Sequence, residues 1–429
     1  MVRTRLSHRE RVLRALNHEE PDRIPIDFGG VSNFTAIHID GHERLKAHLG
    51  LEGGTPTIAS LVSMCVRPDL RIMRRFDVDC WGMWPRAPRT PKIELHQEPD
   101  GRSWFVDDWG VTWEKPTEGY YHDLVGHPLK GAEVEDLDKF PWPDPYDPGR
   151  VAGLADEARE VYENSDYAIV MNSAYSTGVV TVCAYLTGWE DHYYNLAGRP
   201  EFLKALVERI EDFHIKQWDA ILDAVGKYVH VAVMSDDIAV QDGPMLKPAT
   251  YRDIFKPAHK RICEFIKSKA PNIKVMNHAC GDEGYFLPDF LDIGYDIYNP
   301  VQVSCPTILD TAKLNAEYGE KLTFWGGGVN TQTVLPFGTP EEVRREVRRR
   351  VTDLKPGGGF VFATVHNIQR DVPPENVVAC FDAAMEYGWY SGAAHGEERE
   401  GEDGLDMVDY EKLEGLQSET GLGALQRSP

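Results

Sequence analysis

The stretch YVHVAVMSDD at residues 228–237 decides the fold, because it is apolar at most positions until it ends in two aspartates. Such a run suits a strand that is buried on both faces of a sheet. The stretch ATYRDIFKPAHKRICEFIKSKA at 249–270 follows with the length of a helix, and a second apolar run, IKVMNHAC at 273–280, comes after it. A strand, a helix and a strand in this order predict two parallel strands joined by a crossover helix.

The same alternation continues on both sides of this unit. Strand patterns lie at 22–28, 166–173, 296–302, 322–328 and 358–367, and helix patterns lie at 7–18, 200–225, 282–294, 307–319, 338–354 and 373–388. About eight such units closing on themselves predict an α/β chain that folds as a single (β/α)8 TIM barrel over residues 1–390. An open doubly wound sheet is the alternative, although no GxGxxG motif follows the first strand to support a dinucleotide fold.

Two segments fall outside this alternation. Residues 92–125 contain GRSWFVDDWGVTWEKP, in which the turn residues DDWG interrupt an aromatic and β-branched run. This pattern predicts a β-hairpin inserted near the mouth of the barrel. Residues 391–429 are acidic and rich in glycine, which predicts a disordered or loosely docked C-terminal extension.

Composition restricts the possible partners. The formal net charge of −23 over 429 residues argues against nucleic acids and anionic membrane surfaces, since both repel an acidic protein. No apolar run approaches the roughly 18 residues of a membrane span, and the basic N-terminus lacks the apolar core of a signal peptide. Seven cysteines without paired spacing suit a reducing compartment. We therefore expect a cytoplasmic protein.

Metal-binding side chains stand where the predicted strands end, which is the edge that carries the active site of a TIM barrel. His278 and Cys280 lie two apart on one strand and project the same way, and His366 ends a run of alternate residues that begins at Phe360. Imidazole and thiolate donors suit zinc, and three protein ligands leave a fourth position open for water or substrate. The alternative is a polar rim with a small buried cysteine, since an H-x-C pair also occurs by chance.

Carboxylates and amides complete the candidate site. Asp236 and Asp237 are the candidate catalytic residues. Because adjacent strand residues point to opposite sides, we expect one to reach the site while the other caps the following turn. The candidate substrate-binding residues at the strand ends are Asp27, Trp81, Asn172, Gln241 and Asn330.

Several stretches together resemble the uroporphyrinogen decarboxylase superfamily, which also contains cobalamin-dependent methyltransferases that act on methylcorrinoid proteins. The carriers are ERVLRALNHEEPDRIPID, RRFDVDCWGM, DDWGVTW, PWPDPYDP, SDDIAVQDGPMLKPATYRDIFKPAHKRI, MNHACGD, LPFGTPEEVRREV and GGGFVFATVHNIQRDVPPENV. The decarboxylases share an N-terminal R-Q-A-G-R stretch whose arginines hold porphyrinogen carboxylates. This chain has IDFGG at 26–30 instead, which argues against uroporphyrinogen as the substrate.

The methyltransferase branch is similar in its H-x-C strand, followed by a cysteine on the last strand, which together bind zinc and activate a thiol acceptor such as coenzyme M. His278 and Cys280 match the first two positions, and His366 stands where that branch has its cysteine. The resemblance thus implies a TIM barrel with a zinc site and a corrinoid cofactor supplied by a partner protein. A small-molecule substrate and a second copy of the chain, in a homodimer, are further expected partners.

Three hypotheses follow. The leading one is a zinc-dependent methyltransferase in which Asp236, Asp237 and Gln241 orient the substrate. The second is a metal-independent decarboxylase or lyase acting on a small carboxylate, in which Asp27, Asp79 or Asp237 assists proton transfer. The third is a non-catalytic barrel that binds a corrinoid or a metabolite, since one fold hosts many functions.

Overall fold

Seven short parallel strands form the central sheet of the computed structural model, which describes residues 5–54, 58–173, 178–391, 408–409 and 412–413. Their order across the sheet equals their order along the chain: Cys80–Met83, Ala168–Asn172, Val231–Ser235, Lys274–His278, Ile297–Asn299, Thr323–Trp325 and Phe360–Val361. An open doubly wound sheet would reverse this order at a switch point. The sheet is therefore curled in the manner of a TIM barrel, and the doubly wound alternative is wrong.

The predicted first strand lies between the two edges of this sheet. Its Asp27 N–H donates to the Phe362 carbonyl at 2.8 Å, and the Phe362 N–H donates to the Pro25 carbonyl at 2.8 Å. On the other side, the Asp79 N–H donates to the Ile26 carbonyl at 2.8 Å. The segment forms two isolated bridges rather than a regular strand, but it connects the last parallel strand to the first.

Most helices cover the outside of the sheet, whereas the first one packs against its inner core. The longer ones are His8–Leu16, Ile39–His48, Leu154–Asn164, Val179–Thr187, Trp189–Gly198, Pro200–Val225, Lys256–Lys269, Thr311–Tyr318, Pro340–Leu354 and Pro374–Tyr387. The shorter ones are Leu70–Arg75, Val134–Leu137, Pro248–Thr250, Leu287–Ile293 and Val334–Phe337, with a 3₁₀ turn at Glu283–Tyr285 and a π-helical stretch at Tyr251–Phe255. Pro257 follows the π stretch and lacks an N–H for the preceding turn, which accounts for the π-helical turn within the otherwise continuous helix predicted at 249–270.

Alternate residues of the strands pack into two different cores. Val231, Val233 and Met276 belong to a small inner cluster with residues of the helix His8–Leu16, whereas Ala232 and Met234 join the large cluster under the outer helices. The position of a residue in this alternation therefore determines on which side of the sheet its side chain lies.

The segment predicted as one hairpin forms four antiparallel strands instead: His96–Gln97, Ser103–Val106, Thr112–Lys115 and Asp123–Gly126. Two smaller antiparallel groups also occur, namely Ile37–His38 with Ile58–Ser60 and Cys65–Val66, and Ala239–Val240 with Gly243–Pro244.

The predicted extension at 391–429 lies almost wholly outside the described residues. Of its described part, the Asp409 N–H donates to the Asn164 carbonyl at 2.8 Å, and Leu413 is buried. Within the described residues, no helix combines the length and the hydropathy needed to cross a membrane.

Candidate functional site

Three side chains with metal-binding atoms meet at the carboxyl ends of the strands. One atom each from His278, Cys280 and His366 lies within 4.8 Å of the other two. His278 ends its strand on the same face as Met276, which points into the inner core. Cys280 follows two positions later, and its Sγ lies 3.2 Å from His278 Nε2. Two imidazoles and a thiol form a donor set that suits zinc.

His366 reaches this group by a different route from the predicted one. The last strand covers only Phe360–Val361, and Phe360 packs in the outer core while Val361 packs in the inner core. The face shared by alternate residues from Phe360 is therefore the outer one, so strand alternation alone does not direct His366 to this group. The chain has left the strand before His366, so a loop rather than strand alternation brings this imidazole to the group.

Two asparagines accept hydrogen bonds from Nδ1 of the His278 and His366 imidazoles. Asn299 Nδ2 donates to the Trp325 carbonyl at 2.7 Å, which leaves its Oδ1 to accept a hydrogen bond from His278 Nδ1. Asn367 Oδ1 likewise accepts from His366 Nδ1. In both histidines Nε2 then carries the lone pair. This support of the second ring nitrogen is typical of metal-ligating histidines.

Burial controls the protonation of the three side chains. Burial lowers the pKa of His278 well below its usual value, and the neighbouring His366 lowers it further. Burial also lowers the pKa of His366. The pKa of the Cys280 thiol is raised well above its usual value by burial and by Asp237. Both imidazoles are thus neutral, as ligation requires, and binding of a metal would release the thiol proton.

Phe34 covers one side of the group. Its ring stacks on the His278 ring with centroids 3.3 Å apart and meets the His366 ring edge-on at 5.8 Å. The side chain is only 7% exposed, so it keeps water from this side of the imidazoles.

Asp236 lies on the outer side of the sheet and caps a helix. Its two oxygens accept hydrogen bonds from the Val180 N–H at 2.6 Å, from the Thr181 N–H at 2.8 Å and from Thr181 Oγ1 at 2.6 Å. His259 Nε2 lies 2.8 Å from Asp236 Oδ2. A carboxylate at the first turn of the helix Val179–Thr187 stabilises its positive end. These contacts give Asp236 a structural role, not the catalytic one expected.

Asp237 faces the opposite way, toward the three metal-binding side chains. Its Oδ1 accepts the Cys280 N–H at 2.6 Å, and burial raises the pKa of this carboxyl to about 7. Beside it, Glu283 is fully buried and accepts the Ile238 N–H at 3.2 Å, while its Oε2 has no partner among the described residues. Burial and Asp237 raise the pKa of Glu283 well above its usual value.

A cavity of about 120 Å³ lies next to the three metal-binding side chains. Phe34 and Asp237, which contact His278 and Cys280, also line this cavity. The other walls come from residues 60–63, from the turn 107–113 of the antiparallel insertion and from the helix face 181–186. The insertion thus contributes one wall of the space beside the strand ends.

Three of the predicted substrate-binding residues are engaged in packing. Asp27 accepts from Trp325 Nε1 at 2.8 Å and from Thr35 Oγ1 at 2.9 Å, and burial raises its pKa to about 6. Asn172 Nδ2 donates to two backbone carbonyls at 3.0 Å. Trp81 lies on the outer face of its strand and donates to Glu157 Oε1 at 3.3 Å. None of the three lines the described cavity.

Three further candidates lie away from the cavity. Gln241 is exposed in the turn between two short strands. Asn330 Oδ1 accepts the N–H groups of Gln332 and Thr333, at 2.9 and 3.1 Å, and so forms a turn. Asp79, the alternative proton-transfer residue, precedes its strand and therefore lies at the opposite end of the barrel, where Arg11 and Arg23 bind it at 2.6 and 2.7 Å.

Sequence reasoning missed Phe34, Glu283 and the aromatic side chains of the insertion that line the cavity. Phe34 lies in a loop without a motif, and Glu283 was included in a predicted helix. The insertion carried a signal, since its tryptophans flank a turn predicted to lie over the barrel mouth.

Comparisons with known proteins agree with this architecture. The family model of uroporphyrinogen decarboxylase (URO-D) matches residues 124–387. A uroporphyrinogen decarboxylase of Alkalilimnicola ehrlichii is 25% identical over 87% of this chain and 93% of its own length. Another, from Psychromonas ingrahamii, is 24% identical over 44% of this chain. The match spans only about half the length of that relative, 49%.

Among solved structures, a methyltransferase from Methanosarcina mazei superimposes with a TM-score of 0.61 at 20% identity, covering 89% of this chain and 99% of its own. A likeness at this identity shows a common fold and leaves the reaction open.

Proposed function

This chain belongs to the uroporphyrinogen decarboxylase family, and from that premise we propose that it is a zinc-dependent enzyme that transfers a methyl group between a corrinoid protein and a small substrate. The observation that carries the proposal is the meeting of His278, Cys280 and His366 beside a cavity. The methyltransferase of like fold adds support at the level of architecture.

The residues fit the metal that the resemblance implies. Asn299 and Asn367 accept hydrogen bonds from Nδ1 of His278 and His366, which leaves Nε2 of each ring with a lone pair for the metal, and Cys280 supplies one thiolate. Zinc bound by them would act as a Lewis acid and lower the pKa of a bound thiol or hydroxyl.

The protein's other side chains shape the substrate site. Phe34 excludes water from the imidazoles. Asp237 accepts a hydrogen bond from the Cys280 N–H and also lines the cavity. Its carboxyl group can bind a substrate there through a hydrogen bond or an ionic interaction. The insertion supplies the aromatic wall formed by Trp109 and Trp113.

Decarboxylation of a small carboxylate is the alternative, and the cavity gives it less support. A carboxylate substrate needs a basic partner when it leaves water. Neither lysine nor arginine occurs among the described residues that line the cavity. Release of carbon dioxide that persists in the presence of a chelator would nevertheless favour this reaction.

Metal analysis of the purified protein tests the zinc site. We expect one zinc per chain, lost in Cys280→Ala and retained in the matched variant Cys305→Ala, which removes a buried cysteine outside the group. Equal zinc in the two variants would contradict the proposed ligands.

Methyl transfer is tested separately, by following the visible absorption of a methylated corrinoid protein. We expect its cobalt bands to change on mixing with the enzyme and an acceptor, and not with Cys280→Ala. Unchanged bands with every thiol, phenol or amine tried would contradict methyl transfer and leave the zinc result standing.

A further inference from the structure

The cavity beside the metal-binding residues has aromatic walls. Phe34, Trp109, Trp113 and Tyr185 all line it. The rings of Trp113 and Tyr185 stand 5.1 Å apart and nearly perpendicular, at 88°. Aromatic rings set at such angles can present both faces and edges to one small ligand. Ring faces carry negative potential and attract cations.

The carboxyl groups that line the cavity have no basic counterpart among the described lining residues. Asp107 and Asp237 are the acidic residues among its described lining, and no lysine, arginine or histidine is found there. Asp107 is held at the cavity wall by Trp113 Nε1 at 2.9 Å and by the Trp109 N–H at 2.9 Å. Arg150, the nearby cation that acts on Asp107, is paired with Asp108. The walls therefore offer a cation two carboxyl groups and offer an anion no counter-charge.

The cavity is also small. Its volume of about 120 Å³ is close to that of cavities that hold a molecule of benzene, about 150 Å³. A head group with three or four methyl substituents on nitrogen is of this size, whereas a tetrapyrrole is far larger.

From these walls, charges and dimensions we propose that the cavity binds an alkylated ammonium group carried by the small substrate. Alkylated ammonium ions are weakly hydrated cations that aromatic cages recognise, and the carboxyl groups of Asp107 and Asp237 supply the opposite charge. An anionic acceptor such as a sulfonated thiol is disfavoured, because its charge would be buried beside two carboxyl groups. The assignment rests on the proposed function only in taking this cavity as the substrate site.

Calorimetric titration of the zinc-containing protein with choline tests the assignment. The control ligand is the uncharged isostere of choline, in which a quaternary carbon replaces the nitrogen. We expect choline to bind about tenfold or more tightly than the isostere, the contribution of a cation over aromatic faces in a desolvated site. Equal affinities, or no binding of choline, would overturn the proposal, and this comparison needs no variant.

A pair of variants locates the binding. Asp237→Asn retains an oxygen for the Cys280 N–H but removes the charge, whereas Asp242→Asn removes an exposed charge outside the cavity. We expect choline affinity to fall in Asp237→Asn alone, with isostere affinity unchanged in both. Equal loss of choline affinity in both variants would overturn the assignment to this cavity.

Parallel zinc and methyl-transfer measurements separate this inference from the proposed function. Selective choline binding without turnover supports the cavity assignment while contradicting methyl transfer. Turnover only with an anionic acceptor that choline fails to inhibit supports methyl transfer and contradicts the cavity assignment.

Discussion

The ring of Phe34 lies flat on the imidazole of His278, with centroids 3.3 Å apart and planes within 6° of parallel. The same phenyl ring lines the cavity. One side chain therefore contacts both a proposed zinc ligand and the cavity, and it shields one side of the proposed metal site from solvent.

Replacing this ring should expose the metal. In Phe34→Ala we expect a soluble chelator to remove zinc several-fold faster than from the wild-type protein, because one side of His278 becomes accessible. Stability should fall by roughly 3 kcal/mol, as is usual for truncation of a buried phenylalanine. Phe34→Leu, which keeps most of the cover, should lie between the two. The rate of zinc loss is followed with a coloured chelator, and equal rates in all three proteins would show that Phe34 does not shield the site.

Asn299 should influence zinc affinity although it lies outside the ligand set. Asn299→Ala leaves His278 Nδ1 without its acceptor, and loss of such a partner typically weakens metal binding about 10–100-fold. Competition with a chelator of known affinity measures the change. Asn376→Ala is the matched control, since Asn376 is a buried asparagine that donates to Leu335 and Gly338. It should lower stability without altering zinc affinity, and an equal zinc loss in both variants would contradict the role of Asn299.

The adjacent carboxylates Asp236 and Asp237 should respond in opposite ways to the same substitution. Asp236→Asn places an amide where donors from the helix Val179–Thr187 converge, which should cost roughly 2–3 kcal/mol of unfolding free energy. Its turnover per folded molecule should stay near the wild-type value. Asp237→Asn should keep stability and lose substrate affinity. Denaturant unfolding and steady-state kinetics on both variants check this, and a loss of turnover confined to Asp236→Asn would reverse the assignment.

Stability should depend on pH through His8. Burial opposes the charged imidazole, but hydrogen bonds to Asp166 and Asp77 outweigh it and raise the pKa of His8 to about 9. A folded-state pKa above the unfolded value of 6.5 means that the stabilisation is complete below pH 6.5 and is lost as the pH rises toward about 9. The difference corresponds to roughly 3 kcal/mol.

The variant His8→Gln should lack this dependence. Urea unfolding of both proteins across that pH range gives the difference in unfolding free energy at each pH. We expect the wild-type advantage to shrink as the pH rises, and a constant difference would rule out His8 as the titrating group.

Sequence patterns predicted the parts of the fold that depend on local periodicity. The helix predicted at 200–225 is observed as Pro200–Val225, whereas the strand predicted at 273–280 ends at His278, two residues before Cys280. The expected meeting of His278, Cys280 and His366 came from strand alternation, and the family resemblance supported it. A loop conformation brings His366 to the other two side chains. Loops lack the sequence periodicity from which the direction of a side chain can be predicted.

Other outcomes depended on information that a single strand does not contain. The strand Cys80–Met83 is buried at every position, so nothing in its pattern tells that Trp81 faces outward. The helix that Asp236 caps, Val179–Thr187, is apolar on almost all sides and gives no amphipathic signal. The role of Asp236 could be assigned only once that helix was seen to begin beside it.

The way in which Ile24–Phe28 connects the two edges of the sheet bears on how the protein is made. Ile26 pairs with Phe362, and Arg23 pairs with Trp389, near the end of the barrel sequence. During synthesis the segment around Ile26 must therefore wait until the distant segment around Phe362 has been made before its backbone partners exist. Contacts between such distant parts of a chain form slowly, and the unpaired edges remain exposed meanwhile. We expect newly made chains to depend on chaperones until this final junction forms.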